Sequence, residues 1–169
     1  MLKEIMSWLY AIVIALVIVV LVRTFVMTPS VVKGDSMQPN LYDGDRIIIS
    51  KLSEIDRFDE IAFVAPNGVD NYVKRVIGLP GDEIEIIDDR LYINDVAYDE
   101  DYLTDMNSEE ILVKYFKSTE IPDGTYFVMG DNRKFSYDSR AFGVIDEDSI
   151  IGEVVFRIWP LDSIGIVKP

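Results

Sequence analysis

The chain has 169 residues, no cysteine, no histidine and a formal net charge of −14. Those absences exclude disulfides, thiolate chemistry, histidine-ligated metals and any catalytic triad built on imidazole, so a nucleophile here needs a lysine, a carboxylate or a terminal amine as its base. So acidic a surface repels phosphate, which argues against nucleic acid and leaves membrane attachment to apolar surface rather than to basic patches.

From Ile5 to Val22 the sequence is apolar apart from Ser7 and Tyr10. At 1.5 Å per residue this run reaches about 27 Å, close to the hydrocarbon thickness of a bilayer, and Trp8 and Tyr10 suit an interface. A retained transmembrane helix within residues 1–27 is expected. The run is longer than the apolar core of a cleavable leader, and no small-x-small site follows it. Lys3 and the amino terminus face Arg23 across the span, so charge alone does not set its orientation.

Thr28 and Pro29 are expected to break the helix, and after Val31 and Val32 the chain enters a loop that carries Gly34, Asp35, Ser36, Met37, Gln38, Pro39, Asn40 and Leu41. The roughly nine residues from Met27 to Ser36 reach at most about 30 Å, which keeps Ser36 near the membrane surface. A serine between a glycine and a proline is usually a turn or cap residue, and a nucleophile is the second reading. Asp43, Gly44 and Asp45 then turn the chain into a β-branched run, Arg46 to Ile49.

Phe58 to Ala65, a turn at Pro66, Asn67 and Gly68, and Asn71 to Ile77 read as a hairpin. Its period of two puts Tyr72, Lys74 and Val76 on one face and Val73, Arg75 and Ile77 on the other. A second hairpin is expected over Glu83–Ile87 and Arg90–Asn94. Asp99 to Glu110 reads as a solvated acidic loop, because its spacing lacks the glycine and terminal glutamate of a calcium-binding loop. Strands over Gly124–Met129, Val154–Trp159 and Ile164–Val167 enclose a polar run, Gly130 to Arg140. The whole reads as a mainly β protein: an antiparallel β-sheet core of residues 28–82 and 122–169 with an acidic insertion subdomain of residues 83–121.

Ser36, Lys74 and the polar run each have an ordinary explanation: a turn serine, a surface lysine, and a loop held by an Asp138–Arg140 pair. Together they supply a serine with a lysine base, provided that burial lowers the lysine pKa, with Tyr72 and Val76 as the nearest desolvating side chains. The non-catalytic alternative is a membrane-anchored β domain that binds a partner.

The segments GDSMQPNL, YVKRVIGLPGD and GDNRKFSYDSRAFG, in this order after an apolar span, resemble the bacterial type I signal peptidases. The resemblance implies Ser36 as the acylated nucleophile, Lys74 as general base, Ser136 as a hydrogen-bonding partner that orients the Lys74 amine, and Asp138 and Arg140 as braces of the site wall. It implies Val32, Met37, Leu41, Tyr72 and Val73 as walls of substrate pockets, no cofactor, and the lipid bilayer and the signal peptides of exported preproteins as partners. The span would be single, with the catalytic domain on the extracytoplasmic side of the cell membrane. The Ser36 backbone amide would donate to the oxyanion. Gly34 stands where some members carry a second donor serine, Asn40 where threonine is usual, and Phe135 where asparagine is common; altered loop packing with retained activity is expected of Asn40.

Overall fold

The computed structural model describes residues 1–103 and 112–167. Helix α1 (Leu2–Phe25) contains neither glycine nor proline and is apolar all round, and Lys3–Phe25 is long and apolar enough to cross a membrane. At its end Val26 N–H donates to Val22 O (2.9 Å), and Lys51 Nζ donates to Thr24 O (2.9 Å), which places a cation against the negative end of the helix dipole.

Strand β1 (Met27–Val31) begins one residue later. The helix does end before Thr28 and Pro29, as expected, and these residues enter a strand that the sequence reading did not place. Pro29 lacks a donor, but β1 is the terminal strand of its sheet, where a missing N–H costs no ladder bond. The chain continues as β2 (Arg46–Ser50), β3 (Glu60–Val64), β4 (Asn71–Gly78), β5 (Ile84–Ile87), β6 (Arg90–Ile93), β7 (Val96–Tyr98), β8 (Tyr115–Lys117), β9 (Thr125–Met129), a one-turn helix α2 (Ser139–Phe142), β10 (Ile145–Asp146), β11 (Ile150–Trp159) and β12 (Gly165–Ile166).

All pairings are antiparallel. Eight strands form one sheet in the order β1-β2-β11-β3-β4-β9-β10 with β12 on β11, and four form a second in the order β7-β6-β5-β8. The mainly β architecture agrees with the sequence reading, as do the two hairpins β3–β4 and β5–β6. Strand β11 starts four residues before the expected Val154, because Gly152 conceals its first half. That glycine is needed where β11 crosses β2: a Cβ there would lie 2.0 Å from Ser50 O.

Three clusters make up the core. One joins the two sheets through Ile77, Phe127 and Met129 against Ile84, Ile86, Leu91 and Ile93. A second, Val32, Met37, Leu41, Ile47, Ile49, Ala62 and Val154, lies beneath the Ser36 loop. The third packs Ile61, Phe63, Val76, Val128 and Ile145. In the acidic stretch Asp99 and Asp101 are exposed as expected, but Glu100 and Tyr102 are not. Asp101–Leu103 form a 3-10 turn, the Glu100 side chain is buried in an ion pair with Arg133, and Tyr102 is half-buried. The rest of that stretch lies outside the described residues.

Candidate active site

Two apolar anchors fix the Ser36 loop: Met37 and Leu41 are each 1% exposed and pin the chain on both sides of Pro39 into the core. Polar bonds fix its outer side. Gly34 N–H donates to Asp43 Oδ1 (2.8 Å), Asn132 N–H donates to Ser36 O (3.0 Å), and Asn132 Nδ2 donates to Asp35 O (3.0 Å). Asn132 belongs to the polar run after β9, so two segments far apart in sequence close on each other here. Gly130 permits the approach, since a Cβ on it would stand 2.5 Å from Ser36 O and 2.2 Å from Ser136 Oγ.

Lys74 reaches the same point from β4, where it pairs with Ile61 of β3. It is 4% exposed, and its Nζ lies 2.6 Å from Ser36 Oγ and donates to Val73 O at 3.1 Å. The Tyr72 ring, 5.4 Å away, covers one side. Burial lowers the Lys74 pKa to about 8, against the opposing pull of the Asp138 and Asp131 charges. An amine that gives up its proton this easily, in hydrogen-bond reach of a hydroxyl, can take that hydroxyl's proton.

Ser136 does not meet Lys74 as expected. Its hydroxyl is buried beside Gly130 without a hydrogen bond of regular geometry, and its influence falls on Asp138, whose ionised form it favours. Asp138 and Arg140 do pair, with Arg140 Nε 2.8 Å from Asp138 Oδ1 and Nη2 2.8 Å from Oδ2. Asp138 also accepts from Gly130 N–H (3.1 Å) and caps α2 at Arg140 N–H (3.2 Å). Burial disfavours its charge, but these donors hold its pKa below the ordinary carboxylate value.

A groove of about 650 Å3 runs past Ser36 and Lys74. Val32, Met37, Tyr72 and Val73 line it. Leu41 does not; it is packed in the core beneath, because the turn from Met37 to Leu41 points it inward. Phe135 and Tyr137, 72% and 60% exposed, line the groove too, as do Thr28 to Val31 of β1. The aromatic pair sits in a run that reads as polar, and only the departure at Phe135 hinted at it.

Behind the lysine lies a buried charge network that the sequence did not disclose. The Arg75 guanidinium is fully buried: Nε donates to Asp131 Oδ1 (2.8 Å), Nη2 to Asp131 Oδ2 (2.7 Å) and Glu60 Oε1 (2.7 Å), and Nη1 to Phe58 O (2.7 Å). Asn40 Nδ2 donates to Asp131 Oδ2 (2.7 Å) and to Tyr102 O (2.9 Å), so Asn40 makes a specific link between loops. Glu60 is pushed up to about 7 by burial, although Arg75 opposes it, and its second oxygen has no hydrogen-bond partner among the described residues.

Comparison with known proteins defines the class first: this is a serine peptidase. Residues 5–159 match the family described as signal peptidase, peptidase S26. The chain is 44% identical over 178 residues to signal peptidase IB of Staphylococcus aureus, covering 95% of this chain and 93% of that one. It is 41% identical over 170 residues to signal peptidase I S of Bacillus subtilis, covering 95% and 92%. A crystal structure of a signal peptidase I from Enterococcus faecalis superposes with a TM-score of 0.57 at 41% identity, covering 60% of this chain and 97% of that one. The chain belongs to the signal peptidase family, peptidase S26.

Proposed function

We propose that this chain is a membrane-anchored endopeptidase that removes signal peptides from exported preproteins, with Ser36 as nucleophile and Lys74 as general base. The observation that carries the reading is the 2.6 Å approach of a buried amine to a serine hydroxyl. Neutral Lys74 takes the Ser36 proton as Oγ attacks the scissile carbonyl, then passes it to the leaving amine. Lys74 next takes a proton from the water that attacks the acyl-serine and returns it to Ser36 Oγ as the ester bond breaks, which frees the carboxyl product and restores the dyad. The Ser36 backbone N–H stabilises the oxyanion; Gly34 has no side chain to add a second donor.

The substrate lies extended along the free edge of β1, where main-chain bonds hold it and alternate side chains turn toward the shallow walls formed by Val32, Met37, Tyr72 and Val73. Helix α1 is the single anchor, with the β domain on the extracytoplasmic side, so enzyme and substrate meet where the substrate's own apolar helix leaves the lipid. No cofactor enters the reaction.

The test is cleavage of a preprotein by the detergent-solubilised full chain, with Ser36→Ala beside it, over a pH series. Protonation silences the base, so kcat/KM should fall as pH drops through about 8 and level off above it, and Ser36→Ala should not cleave. Cleavage by Ser36→Ala at the unchanged rate, or a flat profile between about pH 6 and 10, refutes the reading.

A further inference from the structure

After β7 of the small sheet the chain turns back onto the Ser36 loop and the β4 strand that carries Lys74. The Tyr102 ring lies over the Arg75 guanidinium, 4.1 Å from its centre, and against Phe58 at 5.7 Å. In the guanidinium plane Arg75 is held by Asp131, Glu60 and Phe58 O, and Tyr102 covers a face of that plane. The Tyr102 carbonyl accepts from Asn40, four residues after Ser36, and its hydroxyl donates to Glu100 Oε1 (2.5 Å). Glu100 in turn pairs with Arg133, whose Nε donates to Gly130 O at 3.2 Å and whose carbonyl accepts from Arg140.

The Ser36 loop, strand β4 and the polar run after β9 are therefore all tied to this one segment. Arg75 is the residue after Lys74. Asn40 stands in the Ser36 loop, and Arg133 stands in the run whose Asn132 holds the Ser36 carbonyl. We infer that Glu100 and Tyr102 latch the small sheet onto these three segments and thereby hold Ser36 and Lys74 in register, as positioning residues for peptide cleavage. The inference rests on the Ser36–Lys74 reading above. Neither residue lines the groove, so the latch acts on the reacting groups and leaves substrate binding alone.

Displacement of reacting atoms by about 1 Å can cost roughly 100-fold in rate even when its cause is remote. Releasing the latch also opens the buried site to water. Lys74 is faced by the Asp138 and Asp131 carboxylates and the Tyr72 ring, and its low pKa depends on burial. Tyr102→Ala in the full chain should lower kcat on a preprotein by roughly 10- to 100-fold near pH 7, with KM within about twofold. The acidic limb of its rate profile should move to higher pH, so that alkali recovers much of the loss. Tyr102→Phe, which keeps ring and carbonyl, should restore the wild-type limb. Asn40→Ala should repeat the effect from the other side of the contact, and the double variant should lose less than the product of the single losses.

An unmoved limb, a loss that alkali does not relieve, or losses that multiply would overturn the latch. Should Tyr102→Ala fail to fold by circular dichroism, Asn40→Ala carries the same expectation and the same refutation. Ser36→Ala and Lys74→Ala run alongside separate the two claims. If either cleaves, the dyad reading and the latch both fall; if both are inert while the latch variants behave as wild type, the latch alone falls.

Discussion

Lys74→Met should reduce turnover on a preprotein by roughly 10⁴-fold and at the same time make the fold more stable at neutral pH. The first effect follows from the 2.6 Å contact: methionine keeps the length and apolar body of the side chain but has no base, and Ser36 Oγ then faces a thioether. The second follows from the sign of the pKa shift. Below about pH 8 Lys74 is protonated in both folded and unfolded chain, and the folded state bears the full cost of a buried ammonium. Between about 8 and 10.5 the folded chain has lost the proton that the unfolded chain keeps, so the cost shrinks as pH rises, and above 10.5 it is gone. A shift from 10.5 to about 8 corresponds to roughly 3 kcal/mol at pH 7. Thermal unfolding of the two proteins at pH 7 and at about pH 10.5, with the cleavage assay alongside, checks both halves. The stability gain should be large at the lower pH and small at the higher. A variant less stable than wild type at pH 7 would show that Lys74 is held in place by favourable contacts and not confined at a cost.

The second large effect concerns the charge network behind the dyad. Asp131→Ala should destabilise the domain by roughly 3 kcal/mol, seen as a drop of several degrees in the unfolding midpoint, because it strips a fully buried guanidinium of its bidentate partner. It also removes the acceptor of Asn40, so activity should fall further than the unfolded fraction explains. Glu60→Gln should be far milder. With its pKa raised from 4.5 to about 7, Glu60 adds a burial cost that is absent below pH 4.5, grows as pH rises to 7 and is complete above it. Glutamine removes that cost, and the unpartnered Oε2 has no bond to lose. Its stability relative to wild type should therefore improve as pH is raised from about 5 to 8, as denaturant titrations at the two values would register.

Local signals in the sequence carried much of the architecture. The span is an unbroken apolar run, and both hairpins are marked by turn residues between alternating segments. Strand β1 was hidden because Pro29 argues against a strand unless one knows that the strand is an edge, which is a property of the sheet and not of the segment. Strands β7 and β8 are three residues each, too short for a period to register. At the site, Ser36 and Lys74 are 38 positions apart; the missing histidine and the resemblance to a family suggested the pair, and only the fold sets them 2.6 Å apart. Arg75 was placed on a strand face with Val73 and Ile77 and Asp131 in the polar run, and their complete burial against each other emerges only when β4 and β9 pair. Leu41 and Ser136 were assigned by likeness to positions whose side chains here turn into the core and toward Gly130. Asn40 was noticed as a departure, yet its two acceptors, one on Asp131 and one on Tyr102, lie 91 and 62 residues away.

A single residue, Val26, separates the last turn of α1 from β1, and Lys51, just past the end of β2, bridges that joint. With α1 seated in a bilayer, the β domain has no slack tether on which to drift. On the proposed reading the groove would then sit at a fixed height above the lipid, and a preprotein's scissile bond would be gauged from the point where its own helix emerges. Sequence preference would need to discriminate only among the few peptide bonds that stand at that altitude.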